Sequence, residues 1–553
     1  MRVFILLVLV FMFSQYANAQ SDSTATKNGE VIDGEIVIEK EKKIILPKAN
    51  KIFKQADIRS FDSESLQLDF IIFKPSFDWP NYKSEVPFQK ANRKYPIAPF
   101  QNYVKVGFGN YISPLVEVSV SKKIEKIKFR ASLFHESFAR GPIDDEFSGS
   151  SRSMFDFTAK YESKTFSISP YLEINNDKYN FYGNANRINT GFSSEAPDEV
   201  RYNFLALGTF LNGRKKSLKY YLKVEAANDL QKLKDSFDLS KEPYFETLGG
   251  FSIKIDTSFS TGLDFEGYYS NYSSGISYTR SLIQAAPWVR YKKNDLDVKA
   301  GFRIASSESL NVEKSGLYPF LDLKFRIHPD WEVNGFVDGG FDRNNLDRLI
   351  AQNEFLDDSL LILNKETHLR LGGRVYGTPI ENVRIGVESS YSTINDLPFF
   401  VPSSQDSSRF TIIYDNDKIE KFNAIIDASY SPNSTSTYSA KLEFSSYSLN
   451  SLDEPWHLPI FQMSLNSVHN INHKVIFLTE FVSLSGIESP TNSNSENETL
   501  QAIFDLNIGV KYLITNRSSV FFNANNLFNN KYERYIGYPV RGASFKIGGK
   551  YRF

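Results

Sequence analysis

The sequence predicts an all-β protein: one large antiparallel transmembrane β-barrel of about 22 strands, preceded by a short extended N-terminal segment. Three observations lead there. The chain ends on a strand whose two faces differ, with Phe545, Ile547, Gly549, Tyr551 and Phe553 on one side and Ser544, Lys546, Gly548, Lys550 and Arg552 on the other. A period of two with an apolar and a charged face is a strand between lipid and water. The chain begins with a secretory leader and then holds no further apolar run long enough to span a bilayer as a helix. Finally, aromatics make up 15% of residues, with Phe 47 and Tyr 30, yet mean hydropathy is only −0.34. Both hold together when apolar and polar residues alternate.

Residues 1–19 read as the leader. Met1 and Arg2 are a basic start, Phe4 to Phe13 an apolar core, and Ala17-Asn18-Ala19 a cleavage site before Gln20. No cysteine follows, so a lipid anchor is not expected. Residues 20–100 form a second region, an extension expected in the periplasm. It carries Pro75, Pro80, Pro87, Pro96 and Pro99 and little sustained alternation, which suits extended chain.

Residues 101–553 carry the repeated alternation of the barrel. Leu321, Leu323, Phe325 and Ile327 flank Asp322, Lys324 and Arg326; Leu218, Tyr220, Leu222 and Val224 flank Lys219, Tyr221 and Lys223. Short polar turns are expected at 122–126, 162–164, 212–216, 256–259, 292–296, 328–331, 377–382, 431–437, 469–474 and 515–518. Longer connections are expected at 139–151, 175–200, 229–243, 341–364, 394–419, 486–499 and 526–542. Short then long is the rhythm of periplasmic turns and external loops. The stretch 410–414 looks like one strand too many. Both chain ends must lie on the same side, so it is assigned to the external loop 394–419.

Chemistry is largely excluded. Net charge is −1, which offers nothing to nucleic acid. With Cys 0 there is no disulfide, cysteine-ligated metal or thiol nucleophile. His469 and His473 have helical spacing, but Asn470-Ile471-Asn472 reads as a turn, so they do not form a two-histidine face. Asp144-Asp145-Glu146 reads as a solvated loop face. No cofactor and no enzymatic activity are expected. The inward Lys128, Arg130, Lys219, Lys223, Lys299, Arg303, Lys324, Arg326, Arg370 and Arg374 are expected to pair with carboxylates on neighbouring strands.

The C-terminal stretch resembles the end of TonB-dependent receptor barrels. Asn526-Leu527-Phe528-Asn529-Asn530-Lys531-Tyr532 is similar to that family's Asn-Leu-Phe-(Asp/Asn)-x-x-Tyr element before the last strand. Pro539-Val540-Arg541-Gly542 stands near where the family has Pro-Gly-Arg, and Tyr551-Arg552-Phe553 matches its aromatic ending. The resemblance implies a 22-stranded barrel. It also implies a plug domain, for which residues 20–100 are too short. Glu35, Ile36, Val37 and Ile38 resemble a TonB box, the segment that a periplasmic energy-coupling protein takes up by strand addition.

A barrel of that size is roughly 40 Å across and cannot be filled by its own wall side chains. Infolded loops or a partner are therefore expected to block it. Two functions follow: a receptor-type transporter moving a solute across the outer membrane, or a plugless structural or assembly subunit whose lumen or tail binds other envelope proteins. The expected partners are outer-membrane lipid and the insertion machinery of a diderm bacterium. That machinery would grip the outward set Phe545, Ile547, Tyr551 and Phe553.

Overall fold

A computed structural model describes residues 102–143, 146–183, 198–234, 238–310, 312–490 and 497–553. Twenty-two antiparallel strands follow one another around a ring, and the first, Tyr103–Gly109, pairs with the last, Ser544–Arg552. That pairing leaves no exposed edge, the condition for a sheet to sit in lipid. The seam is matched on both sides. Phe108 lies opposite Ile547 and Val104 opposite Tyr551 on the outer face, while Lys105 lies opposite Lys550 on the lumen face. The Phe553 N–H then donates to the Asn102 carbonyl at 3.0 Å.

Parity separates the two faces along every long strand. In Glu199–Lys215, Tyr202, Phe204 and Ala206 are buried, while Leu205 and Leu207 are 50% and 62% exposed. In Ser277–Lys293, Arg280 and Leu282 are buried and Ile283 is 65% exposed. Large exposed apolar side chains on the outside and packed or charged ones inside are the pattern of a wall between lipid and lumen. Among the described residues, no helix is long and apolar enough to cross a membrane.

All ten expected short turns are present, each joining two strands of the ring at one rim. The opposite rim carries the longer connections, along with two tight ones, between Ser273 and Ser277 and between Ser309 and Val312. The stretch 410–414 falls where it was assigned: Phe410–Ile413 pairs with Phe399–Pro402 in a separate hairpin inside the 396–418 loop. Two expectations need correction. The stretch 229–243 is mostly ladder, with Gln231 opposite Ser240, and only a short turn interrupts it. Polar residues stand on both faces there, so alternation persists without hydrophobic contrast. The other is a long connection at 449–460 that the expected set lacks, because its Trp456 and Leu458 resemble strand residues.

Eight of the ten inward cations named above are ion-paired. Lys128, Lys223, Lys299, Arg303, Lys324, Arg326, Arg370 and Arg374 each lie within 3.8 Å of a carboxylate. A polar wall of matched signs suits an aqueous lumen and gives no basic surface.

Candidate functional site: a loop cap across the lumen

The connection 343–364 folds inward instead of away from the barrel. Its sequence explains why. Asn345 caps a short helix, Leu346–Gln352, by accepting from the Arg348 N–H at 3.2 Å. Leu346, Leu349 and Ile350 then share one face at i, i+3 and i+4, and all three are buried. Phe355, Leu356, Leu360 and Ile362 continue as buried apolar chain. Their partners are lumen-facing wall residues, including Tyr202, Tyr244, Tyr268, Tyr272, Tyr278 and Tyr318, so the loop lies on the lumen side.

Buried polar groups hold both ends of that loop. Arg280 donates to Glu242 at 2.6 Å, to the Asn344 carbonyl at 2.7 Å and to the Asn364 side chain at 3.1 Å. Glu242 also accepts from the Leu346 N–H at 2.6 Å, at the start of the helix. Arg280 and Glu242 are both 0% exposed. A buried pair costs least when its other donors and acceptors find partners; the loop supplies three of them here and leaves Arg280 Nε without one. Tyr278 accepts from the Ile362 N–H at 2.8 Å and donates to the Leu360 carbonyl at 2.9 Å. Tyr272 donates to the Asp358 carbonyl at 2.6 Å.

The loop tip meets two other loops. Phe355 stacks on Tyr538 with ring centroids 3.5 Å apart, and Tyr182 packs edge-on against both, at 5.7 and 5.0 Å. The loops carrying Tyr182, Phe355 and Tyr538 leave after the fifth, thirteenth and twenty-first strands of the ring, so eight, eight and six strands separate them. They rise roughly a third of the circumference apart and converge on one aromatic cluster. Tyr535 donates to the Gln352 carbonyl at 2.9 Å, and Tyr538 donates to the Ser408 carbonyl.

The Asn-Leu-Phe element shapes the last of these loops. Asn526 adopts φ +48°, a left-handed conformation that Asn tolerates. Its amide donates to the carbonyls of Asn530 and Arg541 at 2.7 and 2.8 Å, closing the loop on itself. Tyr532 donates to Asp505 on a neighbouring strand at 2.8 Å. The motif thus positions Tyr535 and Tyr538.

His457 joins four loops. It is 1% exposed, and its ring lies 5.5 Å from Phe410 and 5.1 Å from Tyr535. Nδ1 meets the Phe400 carbonyl at 2.8 Å and Nε2 faces the Ile536 N–H at 3.4 Å, which together select the neutral Nδ1–H tautomer. Its own N–H donates to the Glu488 carbonyl at 2.8 Å, and its carbonyl accepts from Arg534. Burial, with the Arg534 charge, outweighs the Phe400 bond and holds the imidazole down to about 3. In an opened cap the ring returns to the ordinary histidine range near 6.5. The folded value is the lower one, so the closed cap is fully stable above about pH 6.5. It loses roughly 1.4 kcal/mol per pH unit as pH falls from there toward 3. Protease cleavage of the loops is therefore expected to be faster at pH 5 than at pH 7.5. With His457→Gln the two rates should coincide.

Below the 343–364 loop lies a cavity of about 540 Å³ whose lining includes Asp264, Glu266, Gln284, Lys299, Arg303 and Arg370. Among the described residues, no three His, Cys, Asp or Glu side chains are placed to hold a metal ion. His469 lies near the end of the strand Phe461–Ile471 and His473 sits in the turn beyond it. Asp144 and Asp145 lie outside the described residues, as do Glu35, Ile36, Val37 and Ile38 and the whole extension expected at 20–100. Phe545, Ile547, Tyr551 and Phe553 are 42%, 65%, 50% and 58% exposed on the outer face. The cap residues themselves had no sequence signal beyond the apolar content of 343–364.

No protein-family model matches the sequence, and no curated protein does. Solved structures do match in fold. The FrpB iron transporter from Neisseria meningitidis (F3-3 variant) has a TM-score of 0.66 at 10% identity, over 82% of this chain and 81% of that one. FpvA of P. aeruginosa, in complex with a heterologous pyoverdine and iron, has a TM-score of 0.64 at 10% identity, over 82% and 71%. The siderophore receptor PirA from Acinetobacter baumannii has a TM-score of 0.62 at 10% identity, over 82% and 80%. At such identities the likeness is one of fold alone. In fold, the chain is a closed 22-stranded antiparallel β-barrel similar to the solved structures of an iron transporter and a siderophore receptor.

Proposed function

We propose that the protein is an outer-membrane transporter in which a solute crosses through the lumen and the long loops shut the pathway at one rim. The observation that carries this reading is the convergence of three loops on the Tyr182, Phe355 and Tyr538 cluster, above a lumen of paired charges. The similar folds titled an iron transporter and a siderophore receptor support import as the direction. A cap tied by a buried ion pair opens only against a free-energy cost. In this reading an energy-coupling protein supplies the work by strand addition to Glu35, Ile36, Val37 and Ile38 in the periplasm.

Ile36→Pro tests the coupling. Proline removes a ladder donor and fixes φ, which blocks strand addition and leaves the barrel untouched. Uptake of the nutrient, or growth on it, is expected to fall to background at normal membrane levels. Unchanged uptake would remove the box assignment. Stoichiometric envelope partners that stay bound without the coupling protein would reject the transporter in favour of an assembly subunit.

The outward aromatics of the last strand enter the same reading as the assembly signal. Deleting Phe553 is expected to lower the amount of heat-modifiable, folded barrel under weak expression, because the insertion machinery loses part of the face it grips. Equal levels would speak against that role.

A further inference from the structure

The cavity below the 343–364 loop holds one charge that its own wall does not balance. Of the five carboxylates in its lining, four lie against a cation: Asp264 against Lys299 at 3.1 Å, Asp322 against Lys324 at 3.6 Å, Asp338 against Arg303 at 3.2 Å and Asp342 against Lys365 at 2.7 Å. Glu266 is the fifth, and among the described residues it makes no ion pair. Arg370, the remaining cation of the lining, bonds to Glu388 at 3.0 Å. Arg343 acts on Glu266 without touching it, its own ion pair being with Glu246 at 2.8 Å.

Glu266 is nevertheless held in place. The Gln284 side chain donates to the Phe341 carbonyl at 2.9 Å and accepts from the Phe341 N–H at 3.1 Å, which fixes its amide plane. The same amide nitrogen donates to one Glu266 oxygen at 3.2 Å, and the other oxygen meets no donor among the described residues. A half-buried carboxylate with a single neutral donor leaves much of its desolvation cost uncompensated. A metal ion needs several ligands grouped around it. An ammonium group, a compact charge with three donors, needs only this one carboxylate on the wall.

The rest of the lining suits a flat apolar body. Leu248 stands directly opposite Glu266 on the neighbouring strand. Phe320 and Phe336 lie opposite Gly301 and Gly372, and each ring takes the space that a Cβ on its glycine would fill. The rings therefore lie down along the wall. Lys299 and Arg370 flank them, 5.6 and 4.9 Å from the ring centroids, and both cations are already tied to carboxylates. With about 540 Å³, the cavity has room for a solute of drug-like size.

We propose that this cavity binds an organic cation, a primary amine carried on a flat apolar body. The ammonium donates to the open oxygen of Glu266, and the body lies on Leu248, Phe320 and Phe336. The proposal rests on the transporter reading and narrows it, because it makes the transported solute a cation.

Isothermal titration calorimetry on the full-length barrel in mild detergent tests this. The probes are diphenylalanine amide, N-acetyldiphenylalanine amide and N-acetyldiphenylalanine, alike in body and respectively cationic, neutral and anionic. Wild type is expected to bind the amine at least about tenfold more tightly than the neutral form, and the anion no better than the neutral form. Glu266→Gln should lose the preference for the amine while keeping heat-modifiable mobility. Glu266→Asp, which keeps the charge, should keep part of the preference, and Glu480→Gln, on a distant strand, should keep all of it. Equal affinity of wild type for the amine and the neutral form, failure to bind any of the three, or a preference that survives in Glu266→Gln overturns the proposal. Uptake by cells is read separately. Binding of the amine by the purified barrel without uptake sinks the transporter reading and leaves the site standing, whereas uptake that ignores the charge sinks the site and leaves the transporter.

Discussion

Replacing both Phe355 and Tyr538 by alanine is expected to turn a closed barrel into a conducting one. The two rings stack at 3.5 Å, and each also packs on Tyr182, so the pair forms the aromatic centre where the three loops meet. Truncating a buried aromatic costs about 3–5 kcal/mol, part of it from the cavity left behind. Here that loss falls on the closed arrangement, because opened loops keep little of the contact. Even 3 kcal/mol raises the open population roughly a hundredfold. Single-channel recording in planar bilayers is the direct measurement. Wild type should show rare, brief openings and the double variant long ones of large conductance. Phe325→Ala, a lipid-facing aromatic of similar size away from the cap and the last strand, should leave the wild-type pattern. If the double variant stays closed, the loops are not the barrier.

Removing one half of the Arg280–Glu242 pair is expected to free the 343–364 loop while the ring of strands survives. Arg280→Ala leaves Glu242 without its counter-charge in a site with no exposure, and Glu242→Ala does the same to Arg280. Breaking a buried pair in this way costs about 3–5 kcal/mol. The backbone groups of Asn344 and Leu346 lose their partners at the same time. Hydrogen exchange should show amides 343–364 losing protection, with the strands Asp238–Lys254 and Ser277–Lys293 still protected. The double replacement Arg280→Met, Glu242→Leu should restore much of the protection, since no uncompensated charge remains. Loss of protection throughout the barrel would mean that the pair holds the wall and not the loop.

Alternation alone specified which face of each strand meets lipid. A one-residue slip would place Ile283 or Leu207 in the lumen, so the register is strongly determined. Turn chemistry located the ten tight connections, and the need for both chain ends on one side removed 410–414 from the wall. The signal weakened where both faces are polar, as at 229–243, because there the period remains but burial no longer correlates with hydrophobicity. The aromatic ending and the Asn-Leu-Phe element pointed to the closure, and Asn526 and Tyr532 turn out to shape the final loop.

What the sequence by itself determined, then, is the wall: strand period, ring size and lipid-facing band, set by contacts between neighbours along the chain or across one turn. What only the tertiary structure decided is the cap. Tyr182 bonds to the Pro539 carbonyl across 357 residues, and Arg280 reaches Asn364 across 84. Such pairs have no local period and no spacing rule. They exist because closing the ring brings distant loops over the same lumen, where buried polar groups must find whatever partner the geometry places beside them.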